Sequence, residues 1–589
     1  MKKALIGIFV APILGYIVYI ISLMVLFDLK FDLKLFEVSY RILKSLTPDG
    51  IHYLKPMVFL SLFFGFFTLL ITIFFSLLKG SGKGDYGKSR FANIKDLRKL
   101  DLNYEKGLIL AKYKNKFIRC IEPLTSLIVA PPGTGKTASI VIPNLLTIQN
   151  SCVVLDIKGE LIQKTAGYRQ KILKNKVLIF SPMGKDNTMK FNPFDEKCVK
   201  NFNFVQKKRL VEEVANTLFV AEKGKDPNDF WLASAKQLFI FFALYDLCVK
   251  GKSSFGDLAQ AIQKDYYEEL EGDFKKECEF EEEVFDEENQ QAQTIIKRDP
   301  KANTLTAFFR QVSLKEYKTE ELHNTNVQEF VLVQNQARIY STSPQETFGG
   351  FTANYMVYLN VFTNPDVAEA TGSMSFDYED LREQKITLYI NIGQTDIDTL
   401  APLVRILMES IAKNLLLREN SDPDKFIYLL LDEFIRFGKL NFIMRLPELC
   451  RSYGLIPIYI TQSYQQIQVT YSKEDVDILL ANTHYQVVFR MNSFKDAKEV
   501  SDTIGDFTRE KESISASNMK FVENNKSVSK EGYKLLTPQD IMNQNKEKVL
   551  ILVSGHKDTP LQAKRNMFFK NQQLKNASEI AYDPNHMAV

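Results

Sequence analysis

Cysteine and histidine chemistry have little to work with in this sequence. Six cysteines (Cys120, Cys152, Cys198, Cys248, Cys278 and Cys450) are scattered through 589 residues, with no C-x-x-C pair. That argues against a zinc ribbon or a disulfide scaffold and fits a reducing compartment. The five histidines form no H-E-x-x-H spacing, so no zinc site is expected. No repeat of fixed period recurs. The charged fraction of 25% and hydrophobic fraction of 45% are ordinary, against a fibrous or largely disordered chain. At roughly 100–200 residues per domain, the length predicts about three or four domains with ample core.

Two long uncharged runs stand out, 24 residues at 4–27 and 22 residues at 57–78. At about 1.5 Å per helical residue, each crosses a hydrocarbon core of about 30 Å, so both read as membrane helices. A cleaved signal peptide is the alternative for the first, since Lys2 and Lys3 precede it, but the run is long for one and lacks a small-x-small cleavage site. Seven Lys and Arg residues lie at 79–99, against five in the loop 28–56, where four acids offset them. This bias points the remainder of the chain into the cytoplasm and makes 28–56 a periplasmic loop.

The net charge of +4 hides a second asymmetry. Between 265 and 288, thirteen acids face two lysines, a net of −11 that leaves +15 on the rest. A mildly basic body with one acidic patch suits nucleic acid or a membrane surface plus a separate docking face; a solvated helical face or loop is the other reading of the run.

Beyond a Gly/Ser/Lys-rich linker at 79–88, short apolar runs alternate with helical stretches. The runs lie at 126–130, 152–156, 177–180, 386–392, 427–431, 456–461, 485–490 and 549–553. Near-continuous apolar strands of this length predict an α/β domain around a parallel sheet buried on both faces. The stretch 210–380 shows helical patterns (236–248, 257–271, 302–314) and few strand signals, so it reads as an all-helical insertion. The polar segment 513–534 has the pattern of a surface hairpin.

The strand at 126–130 runs into Ala130-Pro131-Pro132-Gly133-Thr134-Gly135-Lys136-Thr137, and a helical run follows from Ala138. This is a phosphate-binding loop with alanine at the first glycine position. Its glycines let backbone N–H groups turn inward, and the helix N-terminus behind it favours an anion. Lys136 would reach the β- and γ-phosphates of ATP, and Thr137 would give its hydroxyl to Mg²⁺. The run 427–431 ends in Asp432 and Glu433, at the strand end where open α/β sheets bind ligands. Asp432 would hold Mg²⁺, and Glu433 would act as general base on the attacking water. Gln462 follows the next strand and could sense the γ-phosphate, or simply end the strand in a turn. Arg451 could act as an arginine finger between subunits of a ring, or be an ordinary exposed arginine.

These residues resemble the type IV secretion coupling proteins of the TraG/TraD kind. The resemblance rests on the loop, on Leu431-Asp432-Glu433-Phe434 closed by Gly438-Lys439-Leu440, and on Asp156-Ile157-Lys158-Gly159-Glu160-Leu161. Further matches are Phe191-Asn192-Pro193-Phe194, Asp229-Phe230-Trp231, Thr461-Gln462-Ser463, Leu535-Leu536-Thr537-Pro538 and Val553-Ser554-Gly555-His556-Lys557, in family order. It implies a RecA-like P-loop domain interrupted by an all-alpha domain, a homohexamer, and an inner-membrane anchor beside the secretion channel. It also places Arg451 and Gln462 at the family's inter-subunit arginine and sensor glutamine. Some relatives carry a long acidic C-terminal tail for cargo; about thirty residues follow Lys557 here, which leaves 265–288 as the candidate cargo surface.

The expected organisation is a membrane anchor over 1–88, nucleotide-binding halves over 89–209 and 381–570, an all-alpha domain over 210–380, and a short tail over 571–589. The expected function is a multi-pass inner-membrane ATPase, stimulated by DNA, with its soluble part in the cytoplasm. It would recruit relaxase–DNA complexes or protein effectors, hold DNA through its phosphates, and feed cargo to type IV secretion channel proteins. The alternatives are a nucleotide-gated docking scaffold and an FtsK-like DNA pump. Intact Lys136, Asp432 and Glu433 argue against the first; two membrane helices and a short C-terminus argue against the second.

Overall fold

The computed structural model describes residues 86–585 except 106, 121, 123, 185–187, 222–225, 227–228, 287–290 and 516–524, together with the helix Lys34–Lys44 and scattered residues between 13 and 70. The expected spans 4–27 and 57–78 therefore lie for the most part outside the described residues. Within them, Ile17, Val25, Phe63 and Phe66 are helical and between 46% and 80% exposed. Among the described residues, the one helix long and apolar enough to cross a membrane is Phe230–Val249, and 56% of its apolar window is packed inside the protein. It is a core helix and coincides with neither expected span.

The chain divides into two compact units, 1–88 with 506–533 and 89–505 with 534–589. A twelve-stranded sheet organises the larger one. Its first strands, β1 (Leu102–Asn103), β2 (Ile109–Tyr113) and β3 (Lys116–Cys120), pair antiparallel. β2 turns into β3 through Lys114 and Asn115, both at positive φ (43° and 66°), the type I′ pattern whose twist matches that of the strands. The chain then enters the middle of the sheet as β4 (Ser126–Val129), β5 (Ser151–Asp156) and β6 (Lys176–Phe180).

From 181 to 385 the chain leaves the sheet. This excursion holds helices such as Phe204–Leu218, Phe230–Val249, Thr304–Leu314 and Val327–Thr342, and one antiparallel hairpin, β7 (Glu279–Asp286) with β8 (Gln291–Arg298). It returns as β9 (Ile386–Asn391), β10 (Ile427–Asp432), β11 (Leu455–Thr461) and β12 (Tyr485–Val488). Next, β13 (Asp506–Ser515) and β14 (Asn525–Lys534) form their own ribbon, and β15 (Lys548–Val553) and β16 (Leu561–Lys564) complete the sheet. Its order is β1-β3-β2-β16-β15-β12-β4-β11-β10-β5-β9-β6.

The seven strands from β12 to β6 are mutually parallel. Every residue of β5 and β11 is buried, as expected for strands covered on both faces. Alternate residues feed opposite cores: Leu127 and Val129 face the layer holding Leu403 and Leu407, while Ile128 and Ala130 face Ile140, Val141 and Leu145.

Three expectations need correction. The sheet is mixed rather than wholly parallel, because β15, β16, β2, β3 and β1 extend it beyond β12 through antiparallel pairs. Of these, β15 is the apolar run at 549–553, whose direction its residues do not state, while β2, β3 and β16 are short and carry lysines, which weakens their apolar signal. The excursion is not all helical, because the acidic run passes from the short helix Gly272–Lys276 into the strand β7. Glu279 lies opposite Arg298 and Phe280 opposite Lys297, so basic cross-strand neighbours offset its charge; Glu287 and Glu288 lie outside the described residues. The predicted helix 257–271 breaks into Phe255–Gln260 and a turn at Tyr267–Glu269, where the Asp265 side chain caps the Tyr267 N–H at 3.1 Å.

Candidate active site

Register brings the site together. β10 and β11 pair Asp432 with Ile460, and β11 and β4 pair Ile460 with Ile128. Three carboxyl ends therefore stop at one level. The phosphate-binding loop leaves β4, Glu433 follows β10, and Gln462 follows β11. On the far side, β10 and β5 pair Leu430 with Val154, which brings Asp156 to the level of Asp432. This common edge is where parallel α/β sheets hold ligands.

The loop has the conformation its glycines allow. Gly133 and Gly135 sit at φ +74° and +79°, and a Cβ on Gly133 would project into open space. Behind the loop, the helical turns Thr137–Val141 and Ile142–Leu145 are locked from two directions. Buried Asn144 accepts the Ile109 N–H at 2.7 Å and donates to the Ile109 carbonyl at 2.8 Å, tying the helix to β2. Fully buried Arg169 donates to the carbonyls of Leu145, Ile148 and Asn150, to Thr387 and to Asn175. Its positive charge also complements the carbonyl end of the helix dipole.

Lys136 lies in a clamp of carboxylates, its Nζ 3.1 Å from Asp432 and 3.0 Å from Glu433. The Thr137 hydroxyl is 3.4 Å from the other Asp432 oxygen. Burial pushes Asp432 above the usual carboxylate range in spite of Lys136. Burial pushes Glu433 the same way, but Lys136, Gln462 and Arg436 outweigh it and hold its carboxyl below that range. Glu433 also adopts φ +53°, a left-handed backbone that costs a residue with a Cβ about 1 kcal/mol or more. That strain turns its carboxylate back toward Lys136.

The oxygens suit a magnesium ion. Asp432 Oδ1 is buried with the Lys136 ammonium 3.1 Å away, and the Thr137 hydroxyl stands beside Oδ2, so a cation taking the place of that ammonium meets a carboxylate and a hydroxyl. Among the described residues no group of three or more His, Cys, Asp and Glu makes a metal cage. Mg²⁺ fits such a sparse set, since it takes one or two protein oxygens and completes its shell with water and phosphate.

Of the residues picked from the sequence, Lys136, Thr137, Asp432, Glu433 and Gln462 converge. Gln462 donates to Glu433 at 3.1 Å and is oriented by Gln466, which donates to it at 3.2 Å. Arg451 does not join them within this chain. It ends the helix Asn441–Tyr453, pairs with Glu122 at 3.0 Å, and is 74% exposed. Sequence reasoning missed Gln466, legible only as one helical turn beyond Gln462, and Arg565, which donates to the loop carbonyl of Thr134 at 2.6 Å. Other hallmark residues act structurally: Asp229 caps Phe230–Val249, Thr537 caps Pro538–Met542, and the Asn192 side chain bonds the Ser253 carbonyl. Asp156 accepts the Ile162 N–H at 2.9 Å.

Residues 90–583 match the family described as type IV secretory system conjugative DNA transfer. VirD4 of Agrobacterium fabrum is 25% identical over 518 residues, covering 84% of this chain and 67% of that protein. VirD4 of Rhizobium radiobacter is 25% identical over 77% of this chain and 58% of its own length, and TraG of Escherichia coli is 25% identical over 68% and 58%. The chain thus spans between 58% and 67% of these relatives. Among solved structures, the conjugative coupling protein TrwB superimposes with a TM-score of 0.55 at 15% identity, covering 83% of this chain and 97% of that one. TrwB has also been solved with ADPNP, and with ADP and Mg²⁺. With the family match extending over most of its length, the chain belongs to the type IV secretion coupling proteins of the TraG/VirD4 family.

Proposed function

We infer that this protein is a membrane-anchored, ATP-hydrolysing coupling protein that delivers cargo to a type IV secretion channel. The observation that carries the reading is the meeting of Lys136, Asp432 and Glu433 at one sheet edge, with Lys136 within 3.1 Å of both acids. TrwB with ADP and Mg²⁺ supports the choice of nucleotide and metal. Magnesium-bound ATP would supply the cleavable phosphoanhydride. The loop Ala130–Thr137 would bind its phosphates through backbone N–H groups, and Thr137 and Asp432 would hold the metal. Lys136 exchanges its carboxylates for phosphate oxygens, freeing Glu433 to accept a proton from the attacking water. Gln462, steered by Gln466, orients that water or reads the γ-phosphate. Arg451, on the surface, acts on the site of a neighbouring subunit in a homohexamer.

The domain reading that goes with this function is an anchor over 1–88, nucleotide-binding halves over 89–209 and 381–570, an inserted cargo-facing domain over 210–380, and a short tail over 571–589. The exposed apolar side chains of Ile17, Val25, Phe63 and Phe66 suit helices in a bilayer. The soluble part then faces the cytoplasm from a bacterial inner membrane. Cargo is a relaxase–DNA complex or a protein effector, with DNA held by its phosphates and stimulating hydrolysis.

The test is MgATP turnover by the full chain, with and without DNA. Glu433→Gln is expected to keep MgATP binding and lose turnover by about 10²–10⁴-fold. Equal, negligible turnover in both proteins would end the motor reading. DNA binding that does not weaken as salt rises would end the phosphate-contact reading.

A further inference from the structure

We propose that Arg565 is a positioning residue for the phosphate-binding loop, carried on a C-terminal strap that runs along the outside of that loop. This rests on the reading of the loop as an ATP site and adds a part to it. A loop that aims its N–H groups at an anion must turn its carbonyls outward, and each then needs a donor. The Pro131 carbonyl takes the hydroxyl and N–H of Thr134 at 2.6 and 3.3 Å, and the Gly135 carbonyl takes the N–H and hydroxyl of Ser139 at 2.9 and 2.7 Å. These donors are local. The Thr134 carbonyl between them is served from 431 residues away, by Arg565 at 2.6 Å.

The guanidinium is itself held. Its second nitrogen donates to Glu547 at 2.8 Å, and the Arg565 N–H donates to the Glu547 carbonyl at 2.9 Å. The side chain is 14% exposed. One planar fork thus joins loop and anchor, which a lysine ammonium does not reproduce. Two residues on, the Met567 methyl lies 2.9 Å from the place a Cβ on Gly135 would occupy, so the strap packs against the loop where its φ of +79° favours glycine.

Downstream, the stretch expected as a tail is packed. Phe568, Leu574 and Ala577 are buried, the latter two on the helix Gln572–Ser578. The backbone at Ile580 lies against Gly167 closely enough to exclude a Cβ, and Gln170 exchanges hydrogen bonds of 2.8 and 3.1 Å with Asp583. The strap is therefore fixed at both ends, with Arg565 the residue that touches the loop backbone. A loosened Thr134 carbonyl frees the peptide that also carries the Gly135 N–H.

MgATP turnover and the binding of a fluorescent ATP analogue, measured on the full chain, test the role. Arg565→Ala is expected to raise KM and the analogue's dissociation constant about tenfold, as the loss of one charge-assisted hydrogen bond predicts, with the saturated rate within about twofold of wild type. Millimolar guanidinium should restore part of the affinity, a rescue that a general folding defect would not show. Glu547→Gln, at a half-exposed site, should raise KM by a smaller factor, and it keeps the role testable if Arg565→Ala does not fold. Wild-type affinity in Arg565→Ala, or in Glu547→Gln when the alanine variant does not fold, overturns the role while the ATP reading stands. A wild-type chain that binds no MgATP overturns both.

Discussion

Lys136 and Arg451 are two cations assigned to one triphosphate, and their surroundings differ in almost every respect. Lys136 is 11% exposed, lies between two carboxylates, and stands on a loop whose every outward carbonyl named above has a donor. Arg451 is 74% exposed, ends a helix, and pairs with the exposed Glu122. Exposed pairs of that kind contribute about 0–1 kcal/mol, so Arg451 can leave Glu122 at little cost. On the proposed reading, one chain assembles the binding and proton-accepting half of the site from its own sheet edge, while the half that would stabilise transition-state charge stays on the surface. The contrast is what an enzyme completed by a second copy requires.

The largest effect should come from the inner half. Lys136→Ala removes the cation that both acids and phosphates need, and is expected to abolish detectable MgATP binding, measured with a fluorescent analogue. Arg451→Ala should bind MgATP normally and lose about 10³-fold or more in turnover. Mixed with Glu433→Gln it should regain activity, because some interfaces then pair an intact Glu433 with an intact Arg451. Absence of recovery would erase the distinction between the two cations. Gln466→Ala loosens Gln462 without removing it, so a fall of about tenfold in turnover with unchanged binding is expected from pre-steady-state measurements. The smallest effect belongs to Glu122→Gln, whose denaturation midpoint should shift by no more than about 1 kcal/mol in stability. A large loss there would mean that Arg451 is held in place rather than available.

The parallel half of the sheet was legible because buried strands such as Ile427–Asp432 and Leu455–Thr461 are apolar at nearly every position, and the site was legible because phosphate binding needs glycines and a lysine in a short run. The hairpin Glu279–Arg298 was not. Its strands are charged, and opposite charge reaches it only across the ladder. The turn at Lys114 and Asn115 lacks the Asn-Gly pair that marks its type. Hallmarks such as Asp229 and Thr537 were visible as motifs, yet their work is to cap helices, which a motif alone does not say.

By itself the sequence determined the loop, the acid pair at the end of its apolar strand, and the family, because the first two are each written within a dozen consecutive residues and the third is a set of such short motifs in a fixed order. Only the tertiary structure decided that these pieces meet at one level, that Glu433 takes a strained backbone to face Lys136, and that Arg565 serves a carbonyl 431 positions earlier. Register and long-range hydrogen bonding depend on how strands are ordered in space, and no local stretch of chain carries that order.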